Sequence, residues 1–256
     1  MKVKTILSFL TLTFGVLLLS DSALAQRNVA DSLVFSPQIS FNYGYQIPAG
    51  DMAQRFGNNS SIGLSFHIKD DKNWFYGVEG VYIFGTDVTE PGLLQNLLTE
   101  NGEIISNQGE ISEILIQERG FMVTVNGGKL FSLKKTNPNS GILIKGGIGF
   151  MQHKIRIENQ IHTITQLEDE YLKGYDRLTN GLALSEFVGY YHMSDNRLAN
   201  FYAGFESYQA FTRGRRDFNF DTQTVDDQAR FDMLIGVRVG WVIHIYKRTG
   251  REYYYD

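Results

Sequence analysis

The stretch Phe231–Tyr246, FDMLIGVRVGWVIHIY, alternates almost without a break. Phe231, Met233, Ile235, Val237, Val239, Trp241, Ile243 and Ile245 form one apolar set, and Asp232, Leu234, Gly236, Arg238, Gly240, Val242, His244 and Tyr246 lie between them. A period of two is a β-strand whose successive side chains point to opposite faces. Soluble strands usually run about five or six residues, and this one is far longer. Its second set mixes small residues with an isolated Arg, which suits a crowded interior better than open water. The apolar set is then the outer face.

Seven further segments share the pattern. FSPQISFNYGYQI (35–47) sets Phe35, Ile39, Phe41, Tyr43, Tyr45 and Ile47 against Ser, Gln, Asn and Gly. SIGLSFHI (61–68), WFYGVEGVYIF (74–84), GFMVTVNGGKLF (120–131), GILIKGGIGFM (141–151), LALSEFVGYYHM (182–193) and FYAGFESYQAF (201–211) follow it. In 182–193 the reading places Phe187 and Tyr191 on the outer face, opposite Glu186. The connections run about 12, 4, 35, 9, 22, 7 and 16 residues, long and short in strict alternation, with strand ends good to a few residues. Alternating strands joined by short turns at one end and long loops at the other mark an outer-membrane barrel. The fold expected is therefore all-β, an eight-stranded antiparallel up-and-down transmembrane barrel with long extracellular loops and short periplasmic turns. A soluble eight-stranded barrel shares the strand count, with an apolar lumen and a polar exterior.

The N-terminal segment agrees with export. Lys2 and Lys4 precede an apolar run from Ile6 to Leu19, and Ala23–Ala25 has the small–x–small form of a cleavage site. This reads as a signal peptide over 1–25, followed by a barrel over 26–246 and a periplasmic tail over 247–256. The chain has no cysteine, which excludes disulfides and thiolate metal sites. A net charge of −4 argues against a nucleic-acid partner.

An eight-stranded barrel is just wide enough to be filled by side chains. Glu79, Lys145, Glu186, Glu206 and Arg238 fall on the inward phase, and buried charges persist only when paired. The expectation is a lumen ion-pair network of three acids and two bases, aided by His67. It closes the lumen to solute and disfavours the alternative of a small pore. Aromatics at the strand ends, Trp74, Trp241 and Phe201 at one and Tyr45, Phe84, Phe150 and Phe231 at the other, fit two interfacial girdles.

GYQIPAGDMAQRFGNN (44–59), KGYDRLTNG (173–181) and RRDFNFD (215–221) resemble small outer-membrane β-barrel proteins of Bacteroidota, and the likeness extends over the whole mature chain. The resemblance implies the outer membrane of a Gram-negative bacterium and the barrel fold. It also implies company: some members are accessories of type IX secretion or belong to other outer-membrane complexes. It carries no catalytic residue across.

No enzymatic constellation is legible. His192 and Ser194 in YYHMSD lie two apart, but at the periplasmic end, the wrong leaflet for a lipid A-modifying enzyme. His67, His153, His162 and His244 fall in separate segments, so no metal site and no cofactor is expected. The acidic last loop, DFNFDTQTVDD (217–227), offers oxygen ligands that suit Ca²⁺ but lacks EF-hand spacing, and solvated carboxylates are the better reading. Arg213, Arg215 and Arg216 stand where lipid phosphates lie, either holding outer-membrane lipid such as lipopolysaccharide or pairing with neighbouring Asp. Leu93, Leu94, Leu97 and Leu98 in PGLLQNLL predict a short amphipathic helix, folded onto the barrel mouth as a lid or docking a protein partner. Tyr253, Tyr254 and Tyr255 in the tail suit a protein contact. The function expected is a non-enzymatic structural or interaction subunit of the outer membrane.

Overall fold

The computed structural model describes residues 33–134, 136–159, 163–194 and 199–245. The segment read as a signal peptide (1–25), the C-terminal segment with Tyr253, Tyr254 and Tyr255, and His162 lie outside them. The strands are β1 (Ser36–Gly50), β2 (Asn59–Lys69), β3 (Trp74–Gly85), β4 (Ile104–Ile105), β5 (Ile111–Ser112), β6 (Ile114–Lys134), β7 (Asn137–Asn159), β8 (Thr179–His192), β9 (Phe201–Gly214) and β10 (Ala229–His244). One short helix, α1 (Asp169–Leu172), lies between β7 and β8. Eight strands close into one barrel in the order β1-β10-β9-β8-β7-β6-β3-β2, and β4 and β5 pair in a small separate sheet.

Every neighbour in the ring is antiparallel, and β10 closes on β1 from Gln38↔His244 to Gly50↔Asp232. The connections that follow β1, β3, β7 and β9 leave the barrel at one end, and those that follow β2, β6 and β8 leave it at the other. Long and short thus alternate around the ring. β6 and β7 are much longer than their apolar alternation suggests, and they shorten the two longest loops. The reason lies in a polarity switch along β7. Through the apolar band its outward residues are Ile144, Ile148 and Phe150; beyond it they are Lys154, Arg156 and Glu158. The inward residues switch in the opposite sense, from Lys145, Gly147 and Gly149 to Met151, Ile155 and Ile157. The backbone alternates throughout; only the surroundings change, from lipid-like to water-like.

Two apolar clusters fill the ends of the interior. At the long-loop end Met52, Phe56, Ile83, Met122, Ile155 and Leu234 pack together with loop residues such as Leu94 and Tyr175. At the short-turn end Phe75, Leu130, Phe187, Tyr191, Tyr202 and Val242 pack together. Some inward glycines make this packing feasible. A Cβ on Gly240 would stand 2.2 Å from the Tyr202 ring, and one on Gly147 would collide with Asn126 and Ser185.

Phase settles which face is outside. Val237 and Val239 are 51% and 55% exposed, while Arg238 between them is 3% exposed. A water-soluble barrel would bury the valines instead. Cysteines introduced at 237 and 239 in reconstituted protein are therefore expected to react with a lipid-soluble maleimide and one at 238 to be spared. Val237→Arg, which places charge near the middle of the apolar band, should cost about 2–4 kcal/mol and impair insertion. Labelling at 238 in place of its neighbours would reverse the phase.

Candidate functional site

The interior between the two apolar clusters is polar. Arg238 projects from β10 with glycines opposite it on both sides, Gly44 on β1 and Gly204 on β9. A Cβ on Gly44 would stand 2.5 Å from Glu206 Oε1, so the glycine makes room for that carboxylate, and the guanidinium reaches two acids. Its Nη1 donates to Glu79 Oε1 at 2.5 Å, and its Nε lies 2.5 Å from Glu206 Oε2. Lys145 Nζ stands 3.5 Å from the other Glu79 oxygen. Gln46 and Tyr208 donate to Glu206 at 2.7 and 2.9 Å. Lys145 also lies over the rings of Phe187 and Tyr202, 5.3 Å from each centroid. His67 is buried close by.

Glu186 is not part of this cluster. It is exposed on the outer face, and Phe187 and Tyr191 are buried inside. The β8 phase is the reverse of the one read from sequence. The cause is local: both sets of 182–193 carry large apolar residues, so alternation alone does not choose between them. With Glu186 outside, the central cluster holds two acids, Glu79 and Glu206, against two bases, Lys145 and Arg238. Charge in the interior balances.

A second polar node lies toward the long-loop end. Asp232 is fully buried and takes contacts from His153 Nε2 at 2.9 Å, Thr212 Oγ1 at 2.5 Å and Arg55 Nη2 at 3.4 Å. Alternation alone does not mark these residues as a group. Asp232 stands on the inward phase of β10, which is a usable signal. Arg55 belongs to the first loop, and no periodicity shows that it turns down into the barrel. At the other end Tyr191 donates to Gln38 at 2.6 Å, and Lys69 donates to Asn139 Oδ1 at 2.8 Å.

The long loops are tied together over the mouth. Arg177 pairs with Asp221 at 2.6 Å and Glu90 at 3.1 Å, so one side chain joins three loops. Burial pulls the Arg177 pKa down, but the hydrogen bonds and charges of Asp221 and Glu90 outweigh it and raise it. Arg216 grips Asp176 with two hydrogen bonds, which raise its pKa against a smaller effect of burial. Arg216 is therefore committed within the loops, and Arg215 donates to Asn180 at 2.7 Å. Arg213 is exposed on the outward phase of β9, two residues above Phe211, and Arg215 is exposed just beyond the strand.

The leucine-rich segment is not an amphipathic helix. Gly92 and Leu94 have φ of 73° and 60°, and only a 3-10 turn at Gln95–Leu97 follows. Leu94 enters the apolar cluster under the loops, Leu93 and Leu97 pack against it, and Leu98 is exposed. Asp221 and Asp226 of the acidic loop pair with Arg177 and Arg230. Among the described residues no group of three or more His, Asp or Glu is arranged to hold a metal ion. On the outer face His192 stacks on Tyr190 and lies against the Phe201 ring at a tilt.

No protein-family model matches the chain, and no curated protein matches it. Among solved structures it is similar to Neisserial surface protein A, with a TM-score of 0.45 and 6% identity over 82% of this chain and 97% of that one. It is also similar to the N-terminal β-barrel domain of Pseudomonas aeruginosa OprF, at 0.38 and 8% over 82% and 100%. A third is Ail of Yersinia pestis in complex with the heparin analogue sucrose octasulfate, at 0.36 and 12% over 82% and 99%.

Removing the Arg238 side chain leaves buried Glu206 with neutral donors only and Glu79 with Lys145 alone. Arg238→Leu should destabilise the barrel by about 3–5 kcal/mol, seen as a lower temperature for the folded-to-unfolded gel shift. Arg213→Leu, at an exposed site, should change it by no more than about 0.5 kcal/mol. Arg177→Met should leave the barrel core intact but free the loops, so limited proteolysis is expected to cut within 86–113 and 215–228 several-fold faster.

Proposed function

We propose that this protein is an integral outer-membrane β-barrel of a Gram-negative bacterium, acting without catalysis as an interaction subunit of a larger envelope complex. The long-loop end faces outside and the short turns face the periplasm. The observation that carries the subunit reading is on the lipid face. Glu186 stands outward on β8 between Leu182 and Tyr190, with Ser207 of β9 directly opposite and Gln209 adjacent. The same face of β10, β1 and β2 is apolar, with Ile235, Val237, Tyr43, Ile62 and Leu64. A carboxylate in hydrocarbon is unfavourable unless another group satisfies it, and such residues mark contacts within membranes. A partner membrane protein that supplies a donor at this depth accounts for all three polar residues. The resemblance to Bacteroidota barrels adds that type IX secretion is one assembly of the right kind.

The pore alternative is disfavoured by the interior. Beside Glu79, Asn126, Lys145 and Arg238 the free volume is about 10 Å³, room for about one water molecule. A lipid-modifying enzyme would need an accessible nucleophile and base at the outer leaflet; His192 and Ser194 lie at the short-turn end, and the His153, Asp232 and Thr212 group toward the long loops is buried.

A photo-crosslinking residue at 186 should capture one discrete membrane protein in native cells, while the same residue at 237 captures lipid only. Equal, diffuse labelling from both positions would remove the subunit reading. In planar bilayers the purified protein should give no stable conductance, and lipid A mass should be unchanged on expression. A steady single-channel current would restore the pore.

A further inference from the structure

Two recesses on the outer wall meet at one pair of aromatic residues. The upper one, about 500 Å³, lies against β6 and β7 just beyond the apolar band. Arg119, Gln152, Lys154 and Arg156 line it, with Tyr82 and Phe121 at its base. The lower one, about 600 Å³, lies within the apolar band, walled by Phe41, Ile62, Leu64 and Val123. Tyr82 and Phe121 line both. Phe121 pairs with Phe150 and Tyr82 with Phe84, their ring centroids 6.1 and 6.2 Å apart, so this level is an aromatic girdle. Aromatic girdles sit at headgroup depth.

Gly80 lies in the lower recess, and a Cβ there would meet nothing within 4 Å. The inward glycines are forced by packing; Gly80 is not. Its absent side chain leaves an open channel on the lipid face. In the upper recess Arg119 is held by the Glu118 carbonyl at 2.8 Å and by Gln117, and Arg156 pairs with Glu158. Lys154 is 3.6 Å from Asp176, a carboxylate already engaged by Arg216. Three cations against the one carboxylate in the lining, Glu158, leave the recess positive.

We propose that these recesses form one binding site for a phosphorylated glycolipid of the outer leaflet. Its phosphate meets Arg119 and Lys154, and one acyl chain lies over Gly80 between Ile62, Leu64 and Val123. The apolar floor beneath a cationic rim matches an amphiphile, where a free anion would need only the rim. The site rests on the outer-membrane orientation proposed above, and it is separate from the Glu186 face and from Arg213.

The test is native mass spectrometry of the refolded protein released from detergent. The probes are a bis-phosphorylated lipid A, the same lipid enzymatically dephosphorylated, and inorganic phosphate. The phosphorylated lipid should be retained, and the dephosphorylated form should be retained at least about tenfold less, the loss expected for one charge-assisted contact. Arg119→Gln with Lys154→Gln should reproduce that loss, and Arg213→Gln should not. Gly80→Leu, which fills the channel and leaves every charge in place, should weaken retention of the phosphorylated lipid several-fold. Equal retention of both lipids, no effect of the double variant, or inorganic phosphate displacing the lipid at equal concentration would each overturn the site. If the double variant does not fold, the Gly80→Leu and dephosphorylated-lipid arms still decide. Heat-modifiable insertion into vesicles, scored in parallel, separates failure of this site from failure of the membrane-barrel reading.

Discussion

The constraint on which the structure depends is that a chain in hydrocarbon must satisfy its own backbone. No water is available there to bond an exposed N–H or C=O group, and an open sheet edge would leave a row of them. Pairing of β10 with β1 removes the edge. Closure then fixes register all round the ring, and register decides which side chains meet inside. Arg238 stands between Gly44 and Gly204 because of that register. Gly44 leaves room for the Glu206 carboxylate, and one guanidinium bridges Glu79 and Glu206, which lie on strands that do not touch.

The same alternating backbone serves two solvents. Within the apolar band the strands carry apolar residues outside and polar residues inside; beyond it the long arms of β6 and β7 carry Lys154 and Arg156 outside and Ile155 and Ile157 inside. The interior is consequently layered, with an apolar cluster at each end and ion pairs between them. The lower dielectric of such an interior strengthens each pair, and it makes an uncompensated charge correspondingly unfavourable. The central cluster meets that demand by balance, with two acids facing two bases. The loops repeat the device over the mouth, where Arg177 holds Glu90 and Asp221 and Arg216 holds Asp176.

The outer wall is where the molecule departs from a uniform membrane barrel. Glu186, Ser207 and Gln209 interrupt the apolar band on one side, and Arg119 and Lys154 border a recess above Gly80 on another. Neither feature contributes to the interior packing. We propose both as contact surfaces, the first for a protein and the second for a lipid.

Strand count, the outward phase of most strands and the placement of Glu79, Lys145, Glu206 and Arg238 were legible from alternation alone, because period two is a local property of the chain. The phase of 182–193 was not: with large apolar residues in both sets, only its pairing with Gly146 and Ser207 sends Glu186 outward. The leucines of PGLLQNLL carry helical spacing, but Gly92 and Leu94 take positive φ, which interrupts a helix, and Leu94 is buried beneath the loops. Partners far apart in sequence were equally hidden. Arg55 with Asp232, and Arg177 with Asp221, meet because closure brings distant loops to one mouth. Local periodicity determines which residues share a face of a strand; only the closed ring determines which of them touch.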